Sequence, residues 1–202
     1  MPPIRLPLPD ADVRLWPGWM DAGEAARLHE ALRAQLPWEV HRVRLFGREV
    51  PSPRLSCWIG DADAGYRYSG QAHVPRPWPQ VLAALRTRLA TQPGMDFNSV
   101  LANLYRDGRD CMGLHSDDEP ELGAEPVIAS LSLGATRRFV LKARGGGART
   151  VLELAAGDLL VMAGPTQRHY RHGIPRTARM VGPRINLTFR RTGLPQAQRP
   201  RA

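Results

Sequence analysis

Between Asp21 and Leu36, leucines recur every fourth position at Leu28, Leu32 and Leu36. That spacing predicts an amphipathic helix over 21–36, opened by Asp21 with Glu24 three residues on as a capping box. A second helix is expected over 79–90, where Pro79 suits the first turn and Val81, Leu82, Leu85 and Leu89 fall on one face. Both are read as packing elements. From about residue 99 the texture changes. Short alternating or β-rich runs at 99–105, 126–133, 138–142, 150–154, 158–162 and 184–190 are divided by turn residues, which predicts an all-β half. Gly145, Gly146 and Gly147 lie between two of these runs with no Gly-Lys-Ser/Thr after them, so they read as a hairpin loop and not a phosphate cradle. The tail over 193–202 is polar and proline-containing and is expected to be disordered. No internal repeat is found.

At 202 residues the chain suits one well-buried core and is too short for two ordinary domains. Its composition, 43% hydrophobic and 23% charged, is that of a soluble globular protein, and its longest apolar runs are far too short to span a bilayer. The proline-rich start lacks the apolar stretch and cleavage site of a signal peptide, so a cytoplasmic location without membrane partners is expected. Cys57 and Cys111 supply neither a disulfide framework nor the paired spacing of a zinc ribbon, and are expected to be buried thiols. The 28 basic residues against 19 acidic ones give +9, which favours a polyanionic partner, nucleic acid first. All of the basic residues except Lys142 are arginines, a preference that coding bias also produces, so charge alone does not choose a function.

Of six histidines, His115 stands apart because it opens His115-Ser116-Asp117-Asp118-Glu119. In extended backbone a period of two sets the His115 imidazole and the Asp117 carboxylate on one face. A second histidine from a later strand, His169 or His172, would complete the two-histidine, one-carboxylate arrangement of non-haem Fe(II) oxygenases. Over 184–190 the even-numbered residues Arg184, Asn186, Thr188 and Arg190 are polar and the odd-numbered ones apolar. Such a face is either a solvated outer surface or a binding wall. Two arginines on it suit a dicarboxylate, since guanidinium grips carboxylate through two parallel bonds. Asn103 and Tyr105 share a face of the 99–105 run and match it. The pieces suit 2-oxoglutarate.

Taken together, Asn103-x-Tyr105, His115-x-Asp117, His172 and Arg184-x-Asn186-x-Thr188-x-Arg190, in this order, resemble the AlkB family of Fe(II)- and 2-oxoglutarate-dependent dioxygenases, which demethylate nucleic acids. The resemblance runs from about Arg44 to Arg191 and is nearest the branch acting on duplex DNA. In that branch the second histidine precedes the strand arginine by about twelve positions, and 184 minus 172 is twelve, so the resemblance selects His172 and leaves His169 as a neighbour. It implies a mainly β fold, a double-stranded β-helix or jelly roll, over 93–192. N-terminal helices and a nucleotide-recognition lid over 1–92 would pack on that core, within one structural domain. His115, Asp117 and His172 would hold Fe(II). Arg184, helped by Asn103 and Tyr105, would bind the distal carboxylate of 2-oxoglutarate, with Asn186 and Thr188 lining the same pocket. Arg190 would lie by the iron-proximal carboxylate and brace Asp117.

The same resemblance implies oxidative demethylation of 1-methyladenine and 3-methylcytosine in DNA, with release of succinate, CO2 and formaldehyde. These bases are cationic, so their pocket should offer π faces and carboxylates. Tyr68 would stack on the flipped base against His115, Tyr66 and Glu119 would bond its edge, and Asp118 would be a further carboxylate of the pocket. Phe46, at the tip of Arg44-Leu45-Phe46-Gly47-Arg48, would wedge into the duplex, and Arg54 would be a basic contact after it. Arg137, Arg138, Arg168, Arg171, Arg176 and Arg179 are further candidates for phosphate contacts. The chain departs from that branch in a stretch over 60–65 about two residues longer, and in Tyr68 where phenylalanine is usual, which leaves strand preference and lesion range open. The partner is thus DNA, single- or double-stranded, or RNA, met by a monomer. Two rival readings are the same chemistry on RNA, a protein or a small molecule, and a non-catalytic basic nucleic-acid binding protein.

Overall fold

The computed structural model describes residues 2–45, 48–64, 66–68, 71–73, 75–92, 94–147 and 149–193, with backbone alone at 43–45, 48, 66–68 and 71–73. Phe46, the side chains of Tyr66 and Tyr68, and the tail beyond residue 193 therefore lie outside the described residues.

Strands β1 (Ile4–Arg5) and β2 (Asp12–Trp16) precede helix α1 (Ala22–Gln35). A hairpin of β3 (Arg42–Leu45) and β4 (Arg48–Pro51), strand β5 (Leu55–Gly60), a hairpin of β6 (Tyr66–Tyr68) and β7 (Gln71–His73), and helix α2 (Gln80–Ala90) follow. Then come β8 (Ser99–Tyr105), β9 (Met112–His115), a 3-10 turn at Pro120–Leu122, β10 (Ile128–Gly134), β11 (Arg137–Ala143) and β12 (Arg149–Leu154). Strand β13 (Leu159–Ala163), the short helix α3 (Thr166–His169), β14 (Tyr170–Ile174) and β15 (Arg184–Arg190) complete the chain.

Two antiparallel sheets form the walls of a jelly roll. The larger runs β1-β2-β13-β10-β15-β8-β5 and the smaller β12-β11-β14-β9. Leu28 and Leu32 of α1 and Leu82, Leu85 and Leu89 of α2 pack on the outer face of the larger sheet, against Val100, Leu131, Leu187 and Phe189. The inner face meets the smaller sheet through Tyr105, Ile128, Phe139, Leu141, Met162 and Ile174. This layering decides the alternative left open for β15. Its apolar residues face the helices, and its polar residues point into the roll, where Arg184, Asn186, Thr188 and Arg190 are all buried. The polar face is an interior wall.

Several local expectations need correction. Helix α1 begins as expected, with Asp21 accepting from the Glu24 amide, but the Glu24 carboxylate takes Arg88 of α2, so only half of a capping box forms. Val81 is 36% exposed and does not join the buried face of α2. Strands β2 and β5, outside the runs expected from the sequence, join the larger sheet beside β13 and β8. Arg137 is 3% exposed, its guanidinium holding the carbonyls of Asp107, Asp110 and Pro175, and is not a surface contact. Of the two thiols, Cys57 is buried and Cys111 only half-buried.

Candidate active site

Register brings the two histidines together. His115, the last residue of β9, pairs across the smaller sheet with His172 of β14, and their ring centroids lie 4.4 Å apart. His115 Nδ1 bonds the Gly113 carbonyl at 2.9 Å, which leaves Nε2 as the free ligand atom. Phe139 of β11 stacks on His172 at 5.5 Å and fixes the plane of that ring. Asp117 lies in the loop just past β9. Its amide donates to Gln167 Oε1 at 3.0 Å, and its Oδ1 accepts from Arg190 Nη2 at 2.8 Å. The two Nε2 atoms stand 3.8 and 3.9 Å from the Asp117 oxygens, and one ligand atom from each residue falls within 4.8 Å of the others.

Electrostatics set the protonation these ligands need. Burial pushes the Asp117 carboxyl up, but the Arg190 guanidinium and the two imidazoles outweigh it and hold the group at about 2. Burial, the His115 ring and Arg190 pull His172 down to about 3 against the opposing pull of Asp117. At neutral pH the cluster therefore offers a carboxylate and a neutral buried imidazole. Asp117 Oδ2 is buried with no hydrogen-bond partner, as expected of an atom that awaits a cation. Two nitrogens and one oxygen on one side of a cation leave the opposite side open, an arrangement suited to Fe(II).

The other half of the site is built by β15 and β8, whose register sets Arg184 opposite Tyr105 and Asn186 opposite Asn103. A cavity of about 30 Å³ lies between the sheets, lined by Asn103, Tyr105, His115, His172, Asn186 and Arg190 among others. Arg184 lies behind Tyr105, which lines the cavity, with its guanidinium carbon 5.3 Å from the ring centroid. It is fully buried and has no acidic partner among the described residues. Its Nη2 donates to Ser132 Oγ and Asn186 Oδ1, while Nε and Nη1 have no protein acceptor. A buried cation with unused donors is fitted by a ligand carboxylate. Thr188 extends the wall by accepting from Asn186 Nδ2 at 2.8 Å.

The remaining expected residues are placed unevenly. Asp118 is exposed and its carboxylate is taken by Arg144, which also donates to Ser116 Oγ. Glu119 is half-buried beside it. Arg54 is buried and turned inward, its Nε donating to Asn103 Oδ1 and its Nη1 to Ser52 Oγ. Arg138 and Arg168 pair with Glu153 and Glu125, and Arg171, Arg176 and Arg179 are exposed. His169 closes α3, its carbonyl accepting from the Arg144 amide, and is not one of the three clustered ligands. Gln167, Phe139 and Arg144 escaped the sequence reading, because each acts through a neighbour across the roll and none sits in a periodic pattern with the ligands.

A family model described as the 2OG-Fe(II) oxygenase superfamily matches residues 12–190, a span that holds every residue of this cluster and of the arginine wall. The chain belongs to that superfamily. Fe(II) and 2-oxoglutarate are accordingly its cofactors, and the residues present fit both. The chain is 41% identical over 191 residues to the alpha-ketoglutarate-dependent dioxygenase alkB homolog 3 of Mus musculus, covering 88% of this chain and 65% of that protein. It is 42% identical over 158 residues to the DNA oxidative demethylase ALKBH2 of the same organism, covering 74% and 66%. The chain thus spans about 65% of the length of these relatives. Among solved structures, a 2OG-Fe(II) oxygenase family oxidoreductase from Burkholderia pseudomallei matches with a TM-score of 0.59 at 21% identity, covering 93% of this chain and 88% of that one. The structure of OsALKBH1 matches with a TM-score of 0.57 at 17% identity, covering 89% and 97%. These two show the fold. Among the described residues no helix is long and apolar enough to cross a membrane.

Proposed function

We propose that this oxygenase repairs nucleic acid by direct reversal, removing methyl groups from 1-methyladenine and 3-methylcytosine in DNA. The observation that carries the reading is the pairing of two groups between the sheets: the His115, Asp117 and His172 cluster, and the buried Arg184 that lacks an acidic partner among the described residues. Similarity to a DNA oxidative demethylase and a net charge of +9 favour nucleic acid as the substrate.

Bound between these residues, Fe(II) and 2-oxoglutarate supply, with O2, the oxidation that turns an N-methyl group into a hydroxymethyl group lost as formaldehyde, with succinate and CO2 as co-products. His115, Asp117 and His172 would hold the metal on one side. Arg190 keeps Asp117 charged and fixed, and Gln167 holds its backbone, so the carboxylate does not turn away when the metal leaves. Arg184 would clamp the distal carboxylate of 2-oxoglutarate, with Tyr105 against its guanidinium. Phe139 and the walls of the roll keep the cavity apolar on the His172 side, which strengthens every charged contact inside it.

Access to a base inside a duplex requires flipping, and the β3–β4 hairpin, whose strands flank Phe46 in sequence, is assigned the wedge. Tyr66 and Tyr68 on β6, with Glu119 and Asp118, are assigned to the cationic base. Mass spectrometry of oligonucleotides that carry one defined methylated base tests the assignment. Loss of one methylene mass, dependent on Fe(II), 2-oxoglutarate and O2, is expected on single and double strands. Succinate that forms equally with and without methylated DNA overturns it, and turnover on RNA alone moves the substrate to RNA.

A further inference from the structure

Arg54 occupies the connection between β4 and β5, and the structure spends its guanidinium on an interior residue. Its Nε donates to Asn103 Oδ1 at 2.7 Å and its Nη1 to Ser52 Oγ at 3.0 Å, with Arg54 7% and Asn103 2% exposed. Asn103 lines the cavity assigned to 2-oxoglutarate, opposite Asn186 in the β8–β15 register.

A primary amide presents either an acceptor oxygen or a donor nitrogen to whatever lies beside it, and a half-turn of the side chain exchanges them. Guanidinium donates and never accepts, so it fixes the choice. With Oδ1 held by Arg54, Nδ2 is left as the end of Asn103 that faces another partner, and it has no protein acceptor among the described residues. A carboxylate in the cavity is attracted by an N–H and repelled by a carbonyl oxygen. We propose that Arg54 is a positioning residue for the co-substrate: it locks the Asn103 amide with its nitrogen toward 2-oxoglutarate. This couples the base of the β3–β4 hairpin to co-substrate binding through a single side chain. The inference rests on the proposed reading of the cavity as the 2-oxoglutarate site.

The test is a double-mutant cycle on Mn(II)-loaded full-length protein, read as the Kd of 2-oxoglutarate by isothermal titration, with melting curves as a folding control. Arg54→Met and Asn103→Ala should each weaken binding about tenfold, the worth of one hydrogen bond to a charged group. The double variant should be no weaker than Asn103→Ala alone. Arg54→Lys keeps a donor for Oδ1 and should stay within about threefold of wild type. An unchanged Kd in Arg54→Met, or losses that multiply in the double variant, overturns the proposal. Should Arg54→Met fail to fold, the cycle is run with Arg54→Lys, whose loss must vanish in the Asn103→Ala background. Wild-type protein that takes up Mn(II) but no 2-oxoglutarate would instead refute the reading of the cavity, which separates the two failures.

Discussion

Replacing Arg184 by methionine should strengthen the empty protein while ruining its affinity for 2-oxoglutarate. Arg184 is the largest side chain with no exposure, and burial pulls its guanidinium from 12.5 to about 10, with Tyr105 opposing. That fall amounts to about 3 kcal/mol against the charged form. Arg184→Met removes this penalty at similar volume and forfeits the bonds to Ser132 and Asn186, worth about 1 kcal/mol each. Asn186 Oδ1 keeps Ser130 Oγ as a donor at 3.1 Å, so little is left stranded. The cofactor-free variant should therefore be as stable as wild type or about 1 kcal/mol more so. Toward 2-oxoglutarate, loss of a buried, charged hydrogen-bond donor should cost roughly thirty- to thousandfold in Kd. Melting of Mn(II)-loaded protein with and without 2-oxoglutarate reads both effects. A variant that melts many degrees lower when empty, yet gains as much from 2-oxoglutarate as wild type, would refute the reasoning.

Four further outcomes follow from single positions. At Gly173, beside His172, a Cβ would stand 2.7 Å from the Met112 carbonyl oxygen and 2.9 Å from that of Gly113. Gly173→Ala should push β14 off β9, costing about 1–3 kcal/mol of stability and weakening metal uptake measured by titration; unchanged affinity would contradict the shared register as the source of the site. In metal-free protein, His172 binds its proton at about 3 when folded and 6.5 when unfolded, so the unfolded chain holds the extra proton between those values. Stability should then fall as pH drops from 6.5 toward 3, by up to about 1.4 kcal/mol per pH unit from this residue, and His172→Gln should flatten that part of a denaturation series. Asp117, held at about 2 against 3.8, adds stability that is present above 3.8 and lost as pH falls to 2. Phe46→Ala should slow demethylation of duplexes more than of single strands, and equal losses would remove the wedge.

How much of this was legible beforehand depended on whether a residue acts along its own strand or across the roll. The alternation from Arg184 to Arg190 is local, and a period of two is visible in sequence, so the composition of the wall could be read directly. Which side of the sheet that wall faces is not local. It is decided by α1 and α2 covering the apolar side, about 150 residues away in the case of α1. His115 and Asp117 were found by spacing, but Asp117 is not held by strand geometry at all. It points at the metal position because Gln167 and Arg190 pull it there from two other elements. Strands β9 and β14 were missed because each is short and carries a glycine that a propensity reading counts against it, while close packing of β14 on β9 demands Gly173. Arg54 and Arg137 looked like surface cations, since nothing in a sequence distinguishes an arginine that holds interior carbonyls and amides from one that meets water.

Anaerobic titration of the purified protein with Fe(II) and then 2-oxoglutarate tests the centre of the account most directly. One Fe(II) per chain should bind, a visible charge-transfer band should rise when 2-oxoglutarate is added, and both should be lost in Asp117→Ala. Iron uptake that survives Asp117→Ala, or bound iron that never yields the band, would contradict the assignment of His115, Asp117 and His172 to the metal and of the arginine wall to its co-substrate.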